Sequence, residues 1–176
     1  MGDVHPQGNP HYWLDPANGL IVAENIYNAL IQVDGGNIAY YTERLDLFRA
    51  EFEIKSAQWT ERTRSLAGLE LITYHNSWPY FSRAFGLSVA GYVEPKPGIE
   101  PTASHTAKIV EMVNAKNIPI IGVEPYFSKR APDSIARMTD AKVVTLPPSV
   151  GGAEGADDYW RLFDTILDIL ETSMAD

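Results

Sequence analysis

From Gly68 to the C-terminus, short apolar runs alternate with segments of helical spacing. That alternation restricts the chain to an α/β fold more firmly than any single residue does. Residues 118–123 are continuously apolar, as expected of a strand covered on both faces. Residues 69–74, 88–93 and 142–146 read as three more strands, bounded by Gly, Pro and Asn. Between and after them, residues 78–85 (closed by Gly86), 102–117 (Ile109, Met112 and Val113 inward), 134–139 and 157–174 read as helices. The fold class is therefore α/β, with a four-stranded, mostly parallel sheet flanked by helices.

The first 65 residues follow a different pattern. Residues 1–14 are punctuated by Pro6, Gly8 and Pro10 and read as loop. Asp15 before Pro16 is an N-cap with proline at the first helical position, and Leu20, Ala23, Tyr27, Leu30 and Ile31 then recur at helical spacing to about Val33. Asp34-Gly35-Gly36-Asn37 is expected to stop that helix through residues that tolerate positive φ. A second helix is predicted over residues 38–65, with Tyr41, Leu45, Phe48, Phe52 and Trp59 on one stripe. At 1.5 Å per residue it would be roughly 40 Å long, enough to cross between two lobes. A break near Lys55, giving two shorter helices, is the other arrangement the pattern allows.

Composition narrows the chemistry. With 176 residues and 45% hydrophobic content there is ample material for a core. A net charge of −9 argues against a nucleic-acid partner, which needs clustered Lys and Arg. The absence of cysteine removes disulfides, thiolate metal sites and cysteine nucleophiles together, so a metal site must use imidazole and oxygen. No apolar run approaches the ~20 residues that span a bilayer, and the first residues do not resemble a signal peptide.

Two histidines stand in distinctive frames. His75 follows the strand Leu71-Ile72-Thr73-Tyr74, where ligands of parallel sheets collect, and Asn76 and Ser77 behind it are expected to cap the next helix. His11 lies between Pro10 and Pro16 in Asn9-Pro10-His11-Tyr12-Trp13-Leu14-Asp15-Pro16. Either is compatible with a structural role or with metal ligation through a neutral ring nitrogen. His5 could approach the same site from the N-terminal segment, whereas His105 opens a helix and is expected to face solvent. Glu94 and Glu124 each follow an apolar strand and precede a proline, so both can reach the crevice beside His75. A carboxylate there can ligate a metal, orient a ligand histidine or bond a loop amide; Glu124 is the stronger candidate for ligation. There is no nucleophile elbow, Walker loop or dinucleotide-binding glycine pattern.

These motifs, with Tyr80-Phe81-Ser82-Arg83-Ala84-Phe85-Gly86-Leu87, Gly98-Ile99-Glu100-Pro101-Thr102, Val123-Glu124-Pro125 and Gly155-Ala156-Asp157-Asp158-Tyr159, resemble the periplasmic solute-binding proteins of the zinc/manganese ABC uptake family. The resemblance covers nearly the whole chain. It implies two α/β lobes joined by one long helix, with metal held between them and passed to a membrane ABC permease. Residues 1–65 would be the end of the first lobe and the linking helix, and residues 66–176 the C-terminal α/β lobe. The metal ligands carried over are His11 and His75, with Glu124 added as the nearby carboxylate. Histidine at position 75, where manganese-type members often have Glu, favours zinc, with manganese the alternative. The implied location is periplasmic or extracytoplasmic, and the implied role is binding, not catalysis.

The sequence departs from the family pattern in two places. Most of the first lobe, with its own ligand histidine, would precede residue 1, and Pro148 stands where the family often has a ligand Asp. Tight zinc sites usually close with four ligands, so two histidines alone are expected to bind weakly unless Glu124, His5, water or a second chain completes the shell. The apolar stripe on the helices leads to an expectation of homodimerisation through residues 1–65. Two other functions fit the same residues: a metal-dependent α/β hydrolase using His11, His75 and Glu124, and an adhesin on the same scaffold. Turnover abolished by His75→Ala would identify the first, and macromolecular binding that survives loss of both histidines would identify the second.

Overall fold

The computed structural model describes residues 8–175. Helix α1 (Pro16–Val33) begins as its sequence requires, with Asp15 Oδ1 accepting a hydrogen bond from the Ala17 amide at 3.0 Å and Pro16 in the first turn. It packs along α2 (Ile38–Arg62), which runs unbroken past Lys55 and ends in a 3-10 turn, Thr63–Leu66. The link between them differs from expectation. Gly35–Asn37 form a 3-10 turn with no left-handed residue, fastened by the Asp34 carboxylate to Asn37 Nδ2 at 2.8 Å and Tyr41 Oη at 2.7 Å. Those two donors hold the Asp34 carboxyl below its ordinary pKa.

Beyond Gly68 the chain alternates as predicted: β1 (Glu70–Thr73), α3 (Pro79–Phe85), β2 (Ser88–Tyr92), α4 (Ala103–Lys116), β3 (Ile120–Val123), α5 (Arg130–Ala136), β4 (Lys142–Thr145) and α6 (Tyr159–Ala175). The four strands form one sheet in the order β2-β1-β3-β4, and every pairing is parallel. Helix α5 lies earlier than the predicted residues 134–139. Pro132 falls in its first turn, where a missing N–H costs nothing, so the helix starts ahead of the proline instead of after it. Gly86, with φ of 70°, closes α3 in the left-handed region.

Strand alternation divides the core into two layers. Leu71 and Ile120 point to one face, where they meet Trp59, Phe81, Phe85, Phe163 and Leu167 from α2, α3 and α6. Ile72 and Ile121 point to the other, against Ile109, Val113 and Ile135 from α4 and α5. This is why the inner strands β1 and β3 read as continuous apolar runs. On α6, Leu162, Phe163, Ile166, Leu167 and Leu170 make one buried stripe at helical spacing. The long helix is tied to α6 where Trp59 Nε1 donates to Asp164 Oδ1 at 2.7 Å, Lys55 Nζ pairs with Asp164 Oδ2 at 2.6 Å and Arg62 meets Asp168 and Glu171. None of the described helices is long and apolar enough to cross a membrane.

Candidate metal centre

The carboxyl ends of β1, β2 and β3 deliver His75, Glu94 and Glu124 to one edge of the sheet, and the segment leading into α1 delivers His11 to the same edge. The rings of His11 and His75 lie 5.5 Å apart, centre to centre, inclined at 70°. Two imidazoles sharing one tetrahedral ion at Zn–N distances of ~2.0–2.1 Å place their centres roughly 5 Å apart, so this spacing suits a shared cation. Between Pro10, His11, His75, Asn76 and Pro97 lies a cavity of about 210 Å³.

Each histidine has a polar partner on Nδ1. The Asn9 side-chain oxygen accepts from the His11 backbone amide at 2.9 Å and lies 3.0 Å from His11 Nδ1. Asn9 Nδ2 donates in turn to the Asn76 carbonyl at 2.6 Å, so one side chain joins the two histidine-bearing segments. Tyr92 Oη fixes the Asn76 side chain at 2.8 Å. His75 Nδ1 is hydrogen-bonded to Glu94 Oε1, and Glu94 Oε2 accepts from the Gly98 amide at 3.1 Å. In a neutral imidazole with Nδ1 engaged as donor, Nε2 is the nitrogen that binds a metal.

Glu124 sits deeper. It is fully buried at the end of β3, its Oε1 accepting from Ser77 Oγ at 2.7 Å and Trp78 Nε1 at 3.1 Å, while Oε2 has no hydrogen-bond partner among the described residues. Burial raises the Glu124 carboxyl above its ordinary pKa, although the hydrogen bonds from Ser77 and Trp78 pull it the other way. Ser77 therefore serves Glu124 and does not cap α3, whose first turn has no side-chain cap. Among the described residues no group of three or more His, Cys, Asp or Glu side chains is gathered closely enough to hold a metal. The structure thus brings His11 and His75 together and sets Glu124 behind them.

Two further expectations are corrected or set aside. His105 is part-buried and its Nε2 bonds the Tyr92 carbonyl at 3.0 Å, pinning the start of α4 to the end of β2. His5 lies outside the described residues. Pro148, at the position of the expected acidic ligand, is buried with its carbonyl accepting from Trp13 Nε1 at 2.8 Å. Sequence reasoning missed Asn9 as the residue joining the two segments. The available signal was its placement two residues before His11, where an Asx side chain readily accepts from the local backbone.

Comparison with known proteins supplies the rest. Residues 2–173 match the family described as zinc-uptake complex component A, periplasmic (ZnuA). The high-affinity zinc uptake system protein ZnuA of Brucella suis is 24% identical over 168 residues, covering 94% of this chain and 50% of that protein. A crystal structure of ZnuA superposes with a TM-score of 0.82 at 26% identity, covering 97% of this chain and 65% of the other. The laminin-binding protein Lmb of Streptococcus agalactiae, described as bifunctional with adhesin and metal-transporting activity, gives 0.80 at 25% identity, covering 99% and 68%. The chain spans about half the length of the ZnuA sequence it matches.

Proposed function

This chain belongs to the zinc-uptake complex component A (ZnuA) family, whose members are periplasmic solute-binding proteins of ABC uptake systems and not enzymes, and on that basis we propose that it captures zinc through His11 and His75. The observation that carries the proposal is the pairing of two imidazoles from separate segments at 5.5 Å across one cavity. Zinc comes before manganese because imidazole suits zinc, whereas manganese favours carboxylate and water. Glu124, set behind the two histidines and not gathered with them into a three-ligand group in this structure, would join as a third ligand only by moving toward them. Its buried Oε2 has no hydrogen-bond partner among the described residues, and a nearby divalent charge would favour its ionised form.

The metal is cargo in this reading. In the whole protein it is bound outside the cytoplasm and handed to a membrane ABC permease. Residues 1–65 form the end of a first lobe with the linking helix, and residues 66–176 form the C-terminal lobe. The sheet and most of both core layers in the second segment support that division. Equilibrium dialysis against equal zinc and manganese tests the metal assignment. Retention of zinc by the wild-type chain and its loss in His75→Ala is expected; preferential retention of manganese, or zinc retention unchanged by His75→Ala, would overturn it.

A further inference from the structure

Glu94 is nearly fully buried at the end of β2, and both of its oxygens face hydrogen-bond donors. Oε1 meets His75 Nδ1, and Oε2 accepts from the Gly98 amide at 3.1 Å. We infer that Glu94 is the positioning residue of the site: its carboxylate holds His75 with the proton on Nδ1, so that Nε2 is presented to the metal. The inference rests on reading His75 as a ligand, and it adds the group that makes His75 a competent one.

An ionised carboxylate only accepts hydrogen bonds, and a neutral imidazole has one donor and one acceptor nitrogen. Contact with Glu94 therefore puts the ring proton on Nδ1 and the lone pair on Nε2. A cation bound at Nε2 draws electron density from the ring and strengthens the Nδ1–H bond to the carboxylate, and loss of such an outer partner typically costs about 10- to 100-fold in metal affinity. The second oxygen extends the effect. Gly98 takes up φ of 75° in the turn that follows Glu94, closed by pairing of Lys96 with Ile99, and Pro97 from that turn lines the cavity beside His11 and His75. One carboxylate thus fixes both the ligand ring and a wall of its cavity. Glutamine in the same pose can accept from only one of the two donors, because its amide nitrogen is itself a donor.

The test combines the proton position in metal-free protein with zinc affinity. Long-range 1H–15N NMR of the metal-free wild-type chain should show the His75 proton on Nδ1. Glu94→Ala should lose that signature and bind zinc alone about 10- to 100-fold more weakly in competition with a chromophoric chelator. Glu94→Gln should lose less, with an unfolding transition close to wild type, and it decides the matter if Glu94→Ala fails to fold. A His75 proton on Nε2 in the wild type would overturn the assignment, as would undiminished zinc affinity in a folded Glu94→Gln. Absence of zinc binding by wild type with the proton on Nδ1 sinks the metal reading and leaves the hydrogen-bond assignment standing.

Discussion

The helical hairpin of α1 and α2 and the α/β part beyond Gly68 are built on opposite terms. In the α/β part, both faces of the sheet are covered, and Ile72, Ile120, Ile121, Phe163 and Leu167 are all inaccessible to solvent. In the two helices only Pro16, Leu45 and Trp59 are buried, while Ile21, Ile26, Val33, Ile38, Leu47 and Ile54 are exposed, Val33 to 81%. The α/β part has a core of its own; the hairpin packs chiefly helix against helix and joins that core through Leu14 and Trp59. The proposed metal site lies on the seam, with His75 from one side and His11 from the other. Asn9 to Asn76, Trp13 to Pro148, Tyr159 to Trp13 and Arg83 to Asp15 are among the hydrogen bonds that fasten that seam.

The largest effect should come from the core that defines the contrast. Phe163→Ala removes a fully buried ring packed against Trp59, Phe81, Phe85 and Tyr159. It should cost about 3–5 kcal/mol in urea unfolding, and a cost near zero would show that α6 does not anchor the core. Next comes the seam. A Cβ at Gly19 would stand 2.3 Å from Tyr159 Oη and 2.5 Å from its ring, so Gly19→Ala must displace the hydroxyl that donates to the Trp13 carbonyl. The clash should outweigh the ordinary helix gain of up to ~1 kcal/mol and leave a net loss of about 1–2 kcal/mol, where a stabilised variant would contradict the packing. Asp15→Ala removes the α1 cap and the Arg83 partner and should cost about 1 kcal/mol by the same measurement. At the low end, Leu47→Ala on exposed α2 should stay within about 0.5 kcal/mol of wild type. A loss as large as that of Phe163→Ala would erase the distinction between the two regions.

Those differences also explain what the sequence made legible. Elements whose order is set by burial were visible: the four parallel strands, and the α6 stripe from Leu162 to Leu170, follow from apolar periodicity alone. The start of α1 was visible because Asp15-Pro16 is a local signal that needs no tertiary context. Helix α5 was misplaced because Pro132 can either precede a helix or sit in its first turn, and packing of Ile135 against β3 and β4 chose the latter. At the site, the histidines were legible from their frames and Glu94 from its strand-end position beside His75, whereas Asn9 was not. The acceptor role of Asn9 toward His11 is local, but its bond to Asn76, which joins the two histidine-bearing segments, arises only when the end of β1 and the α1 lead-in converge.

The central claim is that one cation is held jointly across the seam by His11 and His75. Zinc titration calorimetry on metal-stripped wild type, His11→Ala, His75→Ala and the double variant tests it directly. The two histidines should act as one unit: wild type binds one zinc per chain, each single variant loses most of that affinity, and the double variant loses little more than either single one. Losses that simply add, or zinc binding that persists in the double variant, would contradict a shared site.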